Sequence, residues 1–136
     1  MIMVCIDGSD DSYRAADFAI ALAKKSGFKI LFVSVVGAST SMKEYNITAD
    51  MVGSFQVMEA EALEKCRGKA LEYGLDAETL LLAGDPADEI LKCSKESKST
   101  CIVMGRRGMG GAEKLLLGRV SETVLENSEI PVVMVK

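Results

Sequence analysis

Apolar residues along this chain alternate between short continuous runs and longer stretches at helical spacing. Ile2 to Ile6 is a short, β-branched apolar run suited to a buried strand. Ala15, Ala16, Ala19, Leu22 and Ala23 then form one stripe of a helix that Ser9 or Asp10 can cap and Gly27 closes at its C′ position. Ile30 to Val36 is a second buried strand. Residues 37 to 55 are polar and irregular, with Met42, Tyr45, Ile47, Met51 and Phe55 scattered among them, and read as a long functional or flexible loop. A long amphipathic helix over about Gln56 to Tyr73 ends at Gly74, and Ala77 to Leu82 is the third strand. Asp85 caps a further helix with Pro86 at its first position. Cys101 to Met104 is the fourth strand, about Leu116 to Asn127 the last helix, and Val132 to Val135 the fifth strand.

Alternating strand and helix units imply an α/β fold: an open, parallel five-stranded sheet with helices on both faces and right-handed crossovers. The 136 residues suit a single domain spanning 1–136. In such Rossmann-like sheets ligands sit beyond the carboxyl ends of the strands, where strand order reverses. The ends of strands one and four carry Asp7-Gly8-Ser9 and Gly105-Arg106-Arg107-Gly108, so the site is expected there.

The glycine segment carries the most chemistry. Gly105, Gly108, Gly110 and Gly111 fall within seven residues after a strand, more than a turn needs. Without a Cβ, such backbone can come close to a ligand, and successive N–H groups there can converge on an anion. A following helix N-terminus adds free N–H groups and its dipole. The guest this implies is a phosphate, yet the spacing Gly105-x2-Gly108-x9-Gly118 is neither a Walker A loop nor a dinucleotide fingerprint. The chain is acidic overall, with formal charge −4, which argues against nucleic-acid or anionic-membrane partners. Against that background Arg106, Arg107, Lys114 and Arg119 face only Glu113 and Glu122 between 105 and 122. A solvated charged loop is the plain reading of those cations, and with the glycines an anion site is the better one. Histidine is absent, which excludes Ser-His-Asp and Cys-His catalysis and any imidazole metal site. Cys5, Cys66, Cys93 and Cys101 have no CxxC spacing, and no apolar run approaches the ~20 residues of a membrane span. With acidic residues following Ile6 so early, no signal peptide is expected, and a cytoplasmic location with free thiols follows.

Three stretches together resemble the universal stress protein family. They are Val4-Cys5-Ile6-Asp7-Gly8-Ser9, Gly84-Asp85-Pro86-Ala87-Asp88-Glu89-Ile90, and the run from Val103-Met104-Gly105-x-x-Gly108 through Leu115-Leu116-Leu117-Gly118 to Val120-Ser121-Glu122 and Pro131-Val132-Val133. The resemblance implies an adenine nucleotide alpha hydrolase-like fold that binds ATP or AMP. It places Gly105, Arg107, Gly108, Gly118, Arg119 and Val120 against the phosphates, and Asp7, with Gly8 and Ser9, near the ribose and phosphates. Asp7 would there help hold a Mg²⁺ ion, or on its own residue logic close an Asx turn. Val35 matches the position whose backbone contacts adenine, and Met104 lies under the nucleotide; by pattern alone both are core. The family's nucleotide-binding members carry Ser or Thr where this chain has Arg119, whose guanidinium can also bind phosphate. Ser121 keeps the family's second hydroxyl, for phosphate or for capping the helix.

The resemblance further implies a homodimer paired through the C-terminal strand, and a regulatory protein with at most slow ATP hydrolysis that signals to an unspecified partner. A non-nucleotide dimeric interaction module of the same fold is the alternative. An adenylate-forming enzyme is the weakest reading, because 136 residues leave no substrate domain.

Overall fold

A computed structural model describes residues 1–37, 49–107 and 117–136. Five strands, β1 (Ile2–Cys5), β2 (Ile30–Gly37), β3 (Ala77–Gly84), β4 (Cys101–Gly105) and β5 (Val132–Val135), form one parallel sheet in the order β3-β2-β1-β4-β5. Among the described residues there are four helices: α1 (Asp10–Ser26), α2 (Ala49–Glu72), α3 (Pro86–Glu96) and α4 (Arg119–Asn127). The register brings Ile2 opposite both Ile30 and Cys101, so β1 is central and the strand order reverses beside it. Ile2, Met3 and Val4 have no solvent exposure, which is why β1 reads as a continuous apolar run rather than an alternating one.

Two core clusters cover the two faces. On one, Ala15, Ala16, Ala19, Ile20 and Ala23 of α1 and Ala62, Leu63, Cys66 and Ala70 of α2 pack on Ile2, Val4, Ile30 and Phe32. On the other, Ala87, Ile90 and Cys93 of α3 and Val124 of α4 pack on Met3, Leu31, Val33, Ile102 and Met104. The small alanines of α1 let the helix lie close on the central strands.

The expected punctuation is present. Gly27 takes a left-handed conformation at φ 77°, its N–H on the Ala23 carbonyl at 2.8 Å. The Asp85 carboxylate accepts the Asp88 N–H at 3.1 Å, with Pro86 in the first turn of α3. Three boundaries differ from expectation by more than one residue. Helix α2 begins at Ala49, inside the stretch expected to be irregular. Met51, Phe55 and Met58 in fact keep helical spacing, and Gly53 is accommodated within it, since a helical glycine costs only about 1 kcal/mol. Met42, Tyr45 and Ile47 lie outside the described residues. Strand β3 runs on to Gly84 because the β2 ladder carries it there, Gly37 opposite Gly84. Helix α4 starts at Arg119, not near Leu116, because Gly118 is extended at φ −69°, ψ 162°. As expected, β5 is an edge strand, and each of its four residues keeps partial exposure.

Candidate functional site

Beyond Cys5 the backbone of β1 continues through Ile6, whose N–H donates to the Val33 carbonyl at 2.8 Å, and then turns sharply. Asp7 Oδ1 accepts the Ser9 N–H at 2.9 Å, closing an Asx turn, and Gly8 between them sits at φ +81°, which an L side chain rarely adopts. The Ser9 hydroxyl accepts the Ser12 N–H at 3.1 Å, and the Ser12 hydroxyl donates to the Ser9 carbonyl at 2.8 Å. Asp7 therefore fills its local structural role, and the Ser9 side chain is the cap of α1.

The end of β4 lies directly against that helix start. A Cβ on Gly105 would stand 2.8 Å from Asp11 Cβ, 2.9 Å from the Asp11 carbonyl carbon and 3.0 Å from the Ser12 nitrogen. Glycine is required at 105 by the first turn of α1, not by a positive φ. The Asp11 carboxylate, paired with Arg14, also accepts the Arg107 N–H at 3.3 Å. The Arg106 N–H donates to the Val135 carbonyl at 2.8 Å, and the Arg106 carbonyl accepts the Gly118 N–H at 2.8 Å. The latter bond returns the chain to the end of β4 as α4 begins. The buried Ser121 hydroxyl donates to the Gly105 carbonyl at 2.8 Å, which tethers the first turn of α4 to β4.

Gly118 is the N-cap of α4 and offers no side-chain acceptor. The first N–H groups of a helix have no helical partner, so α4 presents donors and the positive end of its dipole at this place. Arg119 opens the helix and is exposed, whereas Val120 packs partly into the second core cluster. Arg106 Nε is buried and has no hydrogen-bond partner among the described residues.

On the far side of β1, Val35 near the end of β2 is half-buried against the second cluster, and Met104 is 4% exposed within it. The side chain of Met104 is thus core. Next to Val35, the buried Ser34 hydroxyl donates to the Ile6 carbonyl, and the Glu59 side chain of α2 lies near Ser34. Burial pushes the Glu59 carboxyl up from its ordinary range; the Ser34 contact opposes this and the Asp7 charge adds to it. Burial likewise pushes the Cys5 thiol up to about 12, helped by Cys93 and Asp7, and the Cys66 thiol up to about 11. All four cysteines are free, and these two are held as thiols, which are poor nucleophiles.

Asp7, Gly8, Ser9, Gly105, Arg107, Gly118, Arg119, Val120 and Ser121 thus gather at the carboxyl ends of β1 and β4, with Val35 one strand away. Gly108 lies outside the described residues. Among the described residues no three His, Cys, Asp or Glu side chains cluster as metal ligands. The donor set suits a phosphate better than a bare cation. Sequence reasoning missed Asp11, Ser34 and Glu59. Asp11 carries no spacing signal, but Glu59 does: it stands at the positions i−4, i−7 and i−11 from Leu63, Cys66 and Ala70, on the apolar stripe of α2.

Over residues 1–136 the chain matches the universal stress protein family. A universal stress protein of Methanocaldococcus jannaschii is 36% identical across 99% of this chain and 81% of its own length. Among solved structures, a universal stress protein in complex with cAMP aligns at 26% identity with a TM-score of 0.74, over 99% of this chain and 95% of that one. A universal stress protein family protein from Arabidopsis thaliana with AMP bound aligns at 25% identity with a TM-score of 0.73, over 99% and 90%.

Proposed function

This chain belongs to the universal stress protein family, and we propose that it is an ATP- or AMP-binding regulatory member of it. The observation that carries the reading is the uncapped start of α4, tethered by Ser121 to β4 beside the strand-order reversal. The phosphates lie against the N–H groups at the start of α4 and the backbone of 105–107, with the Arg119 guanidinium supplying a forked donor. Asp7 and the Gly8-Ser9 turn border the ribose, and the Val35 backbone meets adenine. A Mg²⁺ ion bound with the nucleotide would neutralise phosphate charge, with Asp7 helping to hold it. Adenine nucleotides bound in related proteins support this ligand class.

Hydrolysis is at most slow. Asp7 is engaged with the Ser9 N–H and Ser121 donates to the Gly105 carbonyl, so neither is poised as a base or nucleophile. The protein acts as a cytoplasmic homodimer joined through β5, whose partly exposed apolar edge is a pairing surface. Deleting residues 131–136 should abolish the dimer in light scattering.

A second reading is a dimeric interaction module without nucleotide. It is favoured by Arg119 standing where nucleotide-binding members carry a hydroxyl, and by the engagement of the Ser121 hydroxyl. Acid release and chromatography of what co-purifies, followed by calorimetry with AMP and ATP with and without Mg²⁺, separates the two. No binding at millimolar nucleotide would leave the interaction module.

A further inference from the structure

The pairing of β4 with β5 does not stop at Gly105. The Ile102 N–H donates to the Pro131 carbonyl at 2.9 Å and the Arg106 N–H to the Val135 carbonyl at 2.8 Å, so the ladder keeps its step through Arg106. Side chains alternate across a strand. Gly105 faces α1, so Arg106 stands on the opposite face with Ile102 and Met104, the face that α3 and α4 cover. The Arg106 carbonyl also accepts the N–H of Gly118, the N-cap of α4, at 2.8 Å. Two backbone hydrogen bonds thus hold this arginine at the uncapped helix start.

A guanidinium carries five N–H donors and no acceptor, so wherever it is buried it needs partners. Arg106 Nε is buried and has none among the described residues. The ion pairs there are Arg14–Asp11, Arg67–Glu64, Lys69–Asp17 and Lys95–Glu129, and none involves Arg106. The residue nevertheless keeps partial exposure. Of its three nitrogens Nε alone is sealed, while Nη1 and Nη2 reach the surface and no described residue bonds to them. Burying a charged donor without a partner costs free energy. An anion on the two Nη groups offsets that cost, because the charge is delocalised over the whole guanidinium plane. Arg119, by contrast, is exposed and has to be ordered when a ligand arrives.

We infer that the Arg106 guanidinium is a phosphate ligand of the bound nucleotide. Nη1 and Nη2 donate to a phosphoryl group that the first N–H groups of α4 also meet. The inference rests on the nucleotide reading, where Arg106 supplies backbone alone. Calorimetry with ATP and with adenosine tests it, since adenosine keeps the nucleoside and lacks the phosphates. The parent should bind ATP roughly tenfold or more tightly than adenosine. Arg106→Met replaces the sealed donor with an apolar side chain. It should lower the ATP-to-adenosine affinity ratio roughly tenfold or more, leave adenosine binding where it was, and hold or raise the melting temperature. Arg106→Gln should lower the ratio by a similar factor, and Arg106→Lys, which keeps the charge without the fork, should fall between. A purely structural arginine would do the opposite, losing thermal stability and keeping the ratio. An unchanged ratio in Arg106→Met or Arg106→Gln overturns the inference. So does a parent that binds adenosine as tightly as ATP, an arm that needs no variant to fold. A parent that binds neither overturns the nucleotide reading instead.

Discussion

Helices α1 and α4 both begin at the carboxyl end of the sheet, beside β1 and β4, but they begin differently. Helix α1 satisfies itself: the Ser9 hydroxyl accepts the Ser12 N–H, and Asp10 and Asp11 place negative charge in its first turn. Helix α4 starts at Gly118 with no side-chain cap, and its one hydroxyl near the start, on Ser121, points away from its own N–H groups to the Gly105 carbonyl. One helix start is capped by its own side chain and carries two acidic residues, whereas the other is fixed in place with no side-chain cap and only Glu122 in its first turn. A protein that only needed to fold would gain about 1 kcal/mol by capping both. In the nucleotide reading proposed above, the uncapped end is where the ligand would supply the missing acceptor.

The largest expected effect removes the frame that holds the two helix starts together. Gly105→Ala puts a methyl group into the Asp11 and Ser12 backbone, which cannot yield as a side chain would. It should lower unfolding free energy by about 1–3 kcal/mol in denaturant titrations. Ser121→Ala leaves the Gly105 carbonyl buried without its donor, and should cost about 1–2 kcal/mol and loosen nucleotide binding as α4 loses its tether. The sharpest contrast comes next. Ser9→Ala should cost about 1 kcal/mol of stability with nucleotide affinity unchanged. Gly118→Ser should do the reverse, adding a few tenths of a kcal/mol while weakening ATP binding, because the new hydroxyl competes for the same N–H groups. If both variants move stability and leave affinity alone, the two starts are equivalent and the contrast is lost.

Smaller effects refine it. Arg119 is exposed, so Arg119→Ala should weaken ATP by only about threefold to tenfold, more at low salt than at high. Tighter binding in that variant would make the arginine an obstacle. Glu59 gives a pH signature away from both helix starts. Its folded-state carboxyl is raised, so the folded state binds its proton more tightly than the unfolded chain does. The stability this adds is complete below the ordinary glutamate range and is lost as pH rises through the raised folded value. Glu59→Gln should flatten that part of the stability-pH curve.

Most of the fold was legible because each segment agrees with itself. The β-branched run of β1, the alanine stripe of α1, Gly27, and the Asp85-Pro86 pair each say one thing locally, and the sheet asks for the same. The start of α2 was not legible, since Met42, Tyr45, Ile47, Met51 and Phe55 lie scattered among polar residues and the packed stripe of the helix begins only at Ala62. The site was half legible. The glycines, the Asx turn and the helix start could be found by residue type, but the reason for Gly105 could not. It depends on Asp11 and Ser12, more than ninety positions earlier in the chain, and no local pattern encodes that approach. Glu59 was visible as a polar interruption of an apolar stripe, and its raised carboxyl follows from the burial that stripe brings.

The place of β1 also dictates an order of assembly. Its partner on one side, β2, follows after a single helix, whereas Cys101 of β4 arrives only after most of the chain has been made. The shorter loop closes at lower entropic cost, so β1 and β2 pair early and the opposite edge of β1 waits, apolar and unpaired, until β4 emerges from the ribosome. Gly105 then closes onto the already formed first turn of α1, so the candidate site forms only once β4 is in place. Pulse-labelled hydrogen exchange should find the amides of β2 protected before those of β4.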